Sequence, residues 1–301
     1  MSIAKYIKEI GRGKQGARSL TREQAADLFG QVLDGTVTDL EIGGFCLAMR
    51  IKGETAQEMA GFLDATYARM KLVPEGAGPT VVIPSYNGAR KLPALTPLLA
   101  LLLAREGLPV LLHGVASEST RVFTSSILEE LDIPAQTAVG PARSGVVTFM
   151  PTAVLCDGLQ RLLDVRRAVG LRNPAHSLVK IMNPCVGKGL VLSSYTHPEY
   201  ALSMAATFEL VQANAMLLRG TEGESVADPR RMPQMDGFLH GRRVPLQEAQ
   251  SGALASLPDL PRQIDAATTA RYIRDVLADT YPVPTPIAQQ TAHVLHLMSQ
   301  L

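Results

Sequence analysis

The chain has 301 residues, 46% of them hydrophobic, with 29 Lys+Arg against 28 Asp+Glu and only 5% aromatic residues. That length supports one large or two modest domains with a substantial core. A net charge of +1 excludes a polyelectrolyte, so any electrostatic function must come from local segregation of charge. Cys46, Cys156 and Cys185 are odd in number, far apart and outside any CxxC pattern. They exclude a disulfide framework or a cysteine zinc site and read as buried thiols of a reducing compartment.

The first ten residues, MSIAKYIKEI, contain no apolar core of a signal peptide. The most apolar run, LPALTPLLALLLAREGLPVLL, is broken by Pro93, Pro97, Arg105 and Glu106. It therefore lacks the ~20 uninterrupted residues of a membrane span. A soluble, cytoplasmic protein with no membrane partner is expected.

IAKYIKEI predicts a short first helix. Three segments then carry the pattern Ser/Thr-x-x-Glu/Gln: Thr21 to Gln24, Thr38 to Glu41 and Thr55 to Glu58. In this capping box the hydroxyl and the longer side chain reciprocally satisfy free amides at a helix start. Apolar residues recur behind each cap at helical spacing, as in Ala25, Leu28, Phe29, Val32 and Leu33, and Gly35 and Gly53 are placed to end the first two helices. A helical subdomain over residues 1–72 follows.

From Thr80 the period changes. Short apolar runs (TVVIP, LPVLLHG, VVTFMP, LVLSSY and AMLLRG) alternate with helical patterns over 93–105, 119–131, 158–169 and PEYALSMAATFELV. Such alternation predicts an α/β class: a mainly parallel sheet flanked by helices on both faces. DGFLHGRRVPL reads as a β-hairpin, followed by two closing helices. Ligands of such folds bind beyond the carboxyl ends of the strands, which directs attention to the turns after Ile83, His113 and Leu218.

The order of parts, a capped helical bundle and then an α/β domain with an HG loop at the second strand and an RNP…NP segment, resembles anthranilate phosphoribosyltransferase. The strings IKEIGRGK, RIKGE, VVIPSYNGARK, RNPAH, THPEY and RGTEGE resemble in particular the YbiB-type branch of that family. The resemblance implies a helical subdomain at 1–72 that includes inserted helices at about 157–184. An α/β domain then spans the rest of 73–301, and a homodimer forms through the helices. The apolar face of Ile42, Phe45, Cys46 and Met49 is compatible with such a dimer. For the branch it implies sequence-independent nucleic-acid binding without the parent activity.

The parent family approaches a polyanionic sugar pyrophosphate with backbone amides, cations and magnesium. Its glycine-rich GTGGD turn corresponds here to Ser85, Tyr86, Asn87 and Gly88, where tyrosine adds a ring at a place suited to bare backbone. Its KHGNRS loop corresponds to Leu112–Ser117: His113, Gly114 and the hydroxyls of Ser117, Ser119 and Thr120 remain, the cations do not, and Glu118 adds an anion. The parent's Asp-Glu magnesium pair falls on RGTEGE, leaving Glu222 and Glu224 as metal candidates. These glutamates read equally well as loop caps. Arg172 and Asn183-Pro184 are kept on the anthranilate side, with His176 and Lys180 as replacements.

Positive charge collects in three places. Residues 1–22 hold Lys5, Lys8, Arg12, Lys14, Arg18 and Arg22 against Glu9. Residues 156–188 hold Arg161, Arg166, Arg167, Arg172, Lys180 and Lys188 against Asp157 and Asp164, and Arg90-Lys91 follow the first strand. Spaced cations along a groove neutralise successive phosphates, and Tyr6 and Tyr86 offer stacking faces for unpaired bases. Each feature also has a plainer reading. Scattered cations form a solvated helix face, Tyr86 is a packed cleft lid, His113 is structural, and His293 with His296 lies on a surface or interface.

The expected function is sequence-independent binding of nucleic acid, single-stranded DNA or RNA, with no cofactor. The alternative is a glycosyl- or phosphoribosyltransferase using Ser85, Asn87, His113, Ser117 and Glu224 on a phosphorylated sugar, and only then magnesium. A third reading is a dimeric scaffold with an empty cleft.

Overall fold

The computed structural model describes residues 2–13, 15–115, 120–254 and 257–301. Lys14, Ser117, Glu118 and Ser119 lie outside the described residues. All three capping boxes form as expected. Thr21, Thr38 and Thr55 each accept from the amide three residues on, while Gln24, Glu41 and Glu58 return the bond to the cap amide. They start α2 (Arg22–Leu33), α3 (Asp39–Lys52) and α4 (Ala56–Tyr67), which pack with α1 (Ala4–Ile10) into a bundle. Gly53 ends α3 at φ 81°, and Gly35 follows α2 at φ 68°. Phe29, Phe45 and Phe62 meet at the bundle centre, with ring centroids 4.6–6.3 Å apart.

Glu58 has a second task there. Fully buried, it accepts from the amides of Leu20 and Thr55 at 2.9 Å and from Lys52 Nζ at 2.7 Å. A buried carboxylate is tolerable only when so partnered.

The α/β part holds a seven-stranded sheet in the order β3-β2-β1-β4-β5-β6-β7. Its strands are β1 (Thr80–Ser85), β2 (Val110–Gly114), β3 (Val147–Pro151), β4 (Gly189–Tyr195), β5 (Ala215–Arg219), β6 (Met235–Leu239) and β7 (Arg242–Gln247). The first five run parallel, and β6 and β7 form the expected antiparallel hairpin at the edge. Side chains alternate between two cores. Val82, Leu111 and Val191 face the helical bundle, whereas Val81, Ile83, Leu112 and Leu190 face α5 (Thr96–Arg105), α6 (Thr124–Glu130), α11 (Ala266–Leu277) and α12 (Thr285–Met298).

α6 begins at Thr124, several residues later than the helical pattern suggests. Val122 pairs with Ala89 through both backbone bonds, which holds the chain extended up to Phe123. After β3 the chain forms α7 (Thr152–Leu155), α8 (Asp157–Val169) and α9 (Ala175–Leu178) before returning to the sheet at β4. α8 lies on α2 at very close approach: a Cβ at Gly158 would stand 2.2 Å from the Leu33 carbonyl oxygen. The strand order reverses between β1 and β4, so their carboxyl ends border the crevice where α/β sheets take ligands.

Candidate functional site: a closed amide nest and two cavities

At the end of β1 the backbone turns through Tyr86, Asn87 and Gly88, the last at φ 66°, and presents successive N–H groups to one point. A carboxylate of the same chain occupies that point. Glu224 Oε1 accepts from Asn87 N at 2.6 Å and from Gly88 N at 2.9 Å. Its Oε2 accepts from Ser85 Oγ and, at 3.4 Å, from Thr96 Oγ1.

One turn away Glu222 repeats the arrangement. Its Oε2 accepts from Arg90 N at 2.8 Å, and its Oε1 accepts from Lys91 N and Leu92 N at 2.7 and 3.0 Å. Glu222 adopts φ 52°, a conformation L-residues avoid unless their surroundings impose it. The three amide bonds supply that constraint.

The loop after β5 is pinned from the other side as well. The Gly223 carbonyl accepts from Lys180 Nζ at 2.9 Å and from Ser194 Oγ at 2.8 Å, and the Glu222 carbonyl accepts from Asn87 Nδ2 at 3.2 Å. Only glycine fits at 223, where φ is 86° and a Cβ would lie 1.8 Å from Asn87 Nδ2. Arg172 Nη2 closes the cluster on Asn87 Oδ1 at 3.0 Å. Burial lowers the Lys180 ammonium to about 8, against the pull of Glu224, which favours its charge.

Behind the turn, Tyr86 and His113 are fully packed. Tyr86 Oη bonds His113 Nδ1 at 2.7 Å and Thr152 Oγ1 at 2.8 Å. Burial pushes the Tyr86 hydroxyl up and His113 down to about 3, so the imidazole is neutral. The Nε2 of His113 has no partner among the described residues. Tyr86 is therefore the packed lid rather than an open stacking face. Tyr6 is likewise buried, with its hydroxyl on Asp27. Stacking platforms at these two residues, expected from the sequence, are corrected: neither ring face is open to a base.

Two cavities flank the cluster. One, about 260 Å³, lies between the bundle and the sheet, where Arg50, Glu54 and Met59 meet Arg172, His176 and Tyr200. Burial and then the charges of Arg172 and Arg166 lower His176 to about 4, and its Nε2 is unpartnered among the described residues. The other, about 930 Å³, lies on the far side of Glu222 against β5, β6 and α10 (Pro198–Leu210).

The predicted cations are distributed unevenly. Arg90 and Lys91 are exposed at the carboxyl edge of the sheet, with Arg172 and Lys180 beside them but engaged with the loops. Arg166 and Arg167 lie in the last turn of α8, where Arg167 pairs with Asp164 at 3.3 Å, and Arg161 pairs with Asp157 one turn earlier. Lys5, Lys8 and Arg12 are exposed on or just after α1; Lys5 lies 3.9 Å from Asp27, and Arg12 pairs with Glu9 at 2.8 Å. Lys188 stands apart: it precedes β4, at the opposite edge of the sheet, and donates to the carbonyl of Leu301. Gly114 ends β2 within this site and Thr120 follows it in a turn.

Both predicted metal candidates are present as amide acceptors, and among the described residues no group of three or more His, Cys, Asp or Glu side chains is arranged to hold a metal. Sequence reasoning passed over Thr96 and Arg121, which complete the nest. Thr96 hid inside a helical pattern, and Arg121 Nη1, on the Asn87 carbonyl at 3.0 Å, lay among loop residues.

Comparison with known proteins agrees with this architecture. Residues 4–70 match the model of the glycosyl transferase family, helical bundle domain. The anthranilate phosphoribosyltransferase of Thermus thermophilus superposes with a TM-score of 0.73 at 21% identity, covering 95% of this chain and 85% of that one. The uncharacterized protein YbiB of Escherichia coli (strain K12) is 44% identical over 300 residues, covering 97% of this chain and 93% of the relative. This chain belongs to the anthranilate phosphoribosyltransferase-like family. Another member of that fold, anthranilate phosphoribosyltransferase from Saccharomyces cerevisiae in complex with PRPP and Mg, covers 99% of this chain and 88% of its own at 15% identity, with a TM-score of 0.69.

Proposed function

We propose that this member of the family is a sequence-independent nucleic-acid-binding protein, with single strands preferred, whose phosphoribosyl site is closed. The Glu224 carboxylate on the amides of Asn87 and Gly88 carries this reading. A turn that cradles pyrophosphate needs those amides free; here an internal anion has taken them. The residues present do not fit magnesium either. All four carboxylate oxygens of Glu222 and Glu224 accept from protein donors, and the Lys180 ammonium stands on the same loop. A hard dication needs those oxygens.

The exposed cations support a polyanion partner. Lys8, Arg90 and Lys91 have no carboxylate within ion-pair distance among the described residues, and the pairs at Arg12, Arg161 and Arg167 are solvent-exposed. Exposed pairs contribute only ~0–1 kcal/mol, so a phosphate can replace the carboxylate at little cost. With both candidate tyrosine rings buried, backbone contact dominates over base stacking.

The partner in the homodimer is a second copy, seated on α3. Ile42 is half-buried, while Phe45, Cys46 and Met49 point into the bundle core, so the face expected from the sequence is corrected. The open stripe of that helix is Leu40, Gly43, Leu47 and Ile51, with Leu40 87% and Ile51 66% exposed. Its spacing is that of a helix–helix seam.

Fluorescence anisotropy of a labelled single strand of ~20 nucleotides, titrated at several salt concentrations, tests the function. Binding whose log K falls linearly with log salt supports it; absence of binding at low salt sinks it. A second reading, a transferase on an unidentified phosphorylated sugar, draws on the unpartnered His176 Nε2 in the smaller cavity. Saturable, magnesium-dependent binding of such a sugar would establish it instead.

A further inference from the structure

The larger cavity, on the side of Glu222 away from the nest, has a chemistry of its own. Five of its lining residues are cations and three are carboxylates. Two of the cations are compensated: Arg230 grips Asp228 through both of its oxygens at 2.8 and 3.0 Å, and Arg243 holds Asp236 at 2.9 Å. Glu222, the third carboxylate, is already spent on three backbone amides.

Arg219, Arg231 and Lys91 remain. Arg231 is held in place by the carbonyls of Gln250 and Gly252, at 3.2 and 3.1 Å, neutral groups that orient the guanidinium without cancelling its charge. Arg219 ends β5 and is exposed, and no carboxylate lies within ion-pair distance of it among the described residues. Uncompensated guanidinium groups converging on one concavity are the arrangement that recognises phosphate oxygens bidentately.

α10 starts at this cavity, with Thr196 and Pro198 in its wall, but Pro198 has no amide, Tyr200 N already bonds the His197 carbonyl at 3.0 Å and Glu199 stands in the first turn, so the helix start by itself is no anion site. A further observation points to a ligand in the same place. Independently, Thr221 lines the cavity, is only 7% exposed, and its hydroxyl oxygen has no hydrogen-bond partner among the described residues. A buried hydroxyl left unpaired is costly and rare; a ligand oxygen at this wall would satisfy it. Part of the wall is apolar, with Ala205, Leu217 and Phe238, and Leu202 stands 75% exposed at the mouth.

We infer that this cavity binds a phosphomonoester with an apolar or flat body, Arg219 and Arg231 holding the phosphate and Leu202 covering the body. The same chemistry has two sources, a free nucleotide-sized phosphate or the 5′-phosphate end of a nucleic-acid strand. Only the second rests on the nucleic-acid reading, so the two fail separately. The volume of about 930 Å³ suits a ligand of this size.

The experiment uses the full chain and its Arg219→Gln variant, with adenosine 5′-monophosphate by calorimetry and with 5′-phosphorylated and 5′-hydroxyl 20-mers by anisotropy. Saturable binding of the mononucleotide, weakened roughly tenfold or more by Arg219→Gln, establishes the site and a free ligand. A preference for the phosphorylated 20-mer that Arg219→Gln abolishes establishes the strand end. Thr221→Val serves as the structural control: its melting temperature should equal the parent's or exceed it, while phosphomonoester affinity falls. If neither the mononucleotide nor the 5′-phosphate shows any dependence on Arg219, the proposal is overturned.

Discussion

The carboxylate of Glu224 lies on the backbone amides of Asn87 and Gly88, 137 and 136 residues away in the chain, and ties the loop after β5 to the turn after β1. This contact stabilises the carboxyl edge of the sheet and at the same time removes an anion site. Its removal has two readable consequences. Glu224→Ala leaves two buried amides without an acceptor, while the Ser85 hydroxyl keeps Thr124 Oγ1 at 2.8 Å, and should cost ~2–5 kcal/mol in urea unfolding. Inorganic phosphate should then raise the melting temperature of Glu224→Ala by more than it raises the parent's, by occupying the emptied nest. A variant as stable as the parent would show that the nest is not held by this side chain.

Charge reversal at the end of α8 tests the polyanion reading quantitatively. Arg166→Glu with Arg167→Glu removes up to two phosphate contacts, and the slope of log K against log salt should fall by ~1.4 for a single strand. Affinity should drop equally for all sequences, because such contacts carry no base information. An unchanged slope places the nucleic acid elsewhere.

The α3 stripe predicts the oligomeric state. Leu47 is 43% exposed between Leu40 and Ile51, and Leu47→Glu puts a charge into the seam without touching the bundle core. Light scattering should report a dimer for the parent and a monomer for the variant, with an unchanged helical signal in circular dichroism. A monomeric parent would remove the basis for a second copy on this face.

His113 makes stability depend on pH. Fully buried behind the turn, it stays neutral down to about 3, whereas in the unfolded chain it protonates near its ordinary 6.5. Between those values the unfolded state binds the extra proton, so stability is intact above pH 6.5 and falls as the pH drops towards 3, with a slope of up to ~1.4 kcal/mol per pH unit. His113→Gln removes this contribution. Its urea midpoint should vary less over that window than the parent's, and an identical pH profile would show that other groups control acid unfolding.

The features that depend on local chemistry were legible in the chain before any packing was known. Thr21, Thr38 and Thr55 each find their partner three residues away, so the capping boxes could be read directly, as could the parallel strands that show as short apolar runs and the hairpin around His240-Gly241. Local composition also identified the Ser85–Gly88 turn as the place to look. It could not orient α3, because that helix is apolar on both faces: Phe45 and Met49 on one, Leu40, Leu47 and Ile51 on the other. Packing against Phe29 and Phe62 settles which face is core. Nor did composition reveal that Glu224 fills the nest at Asn87, that Lys180 serves a loop carbonyl, or that Arg219, Arg231 and the start of α10 converge on one cavity. Those relationships join residues tens to more than a hundred positions apart. They are set by the parallel order of the sheet, which brings the carboxyl ends of β1, β4 and β5 side by side.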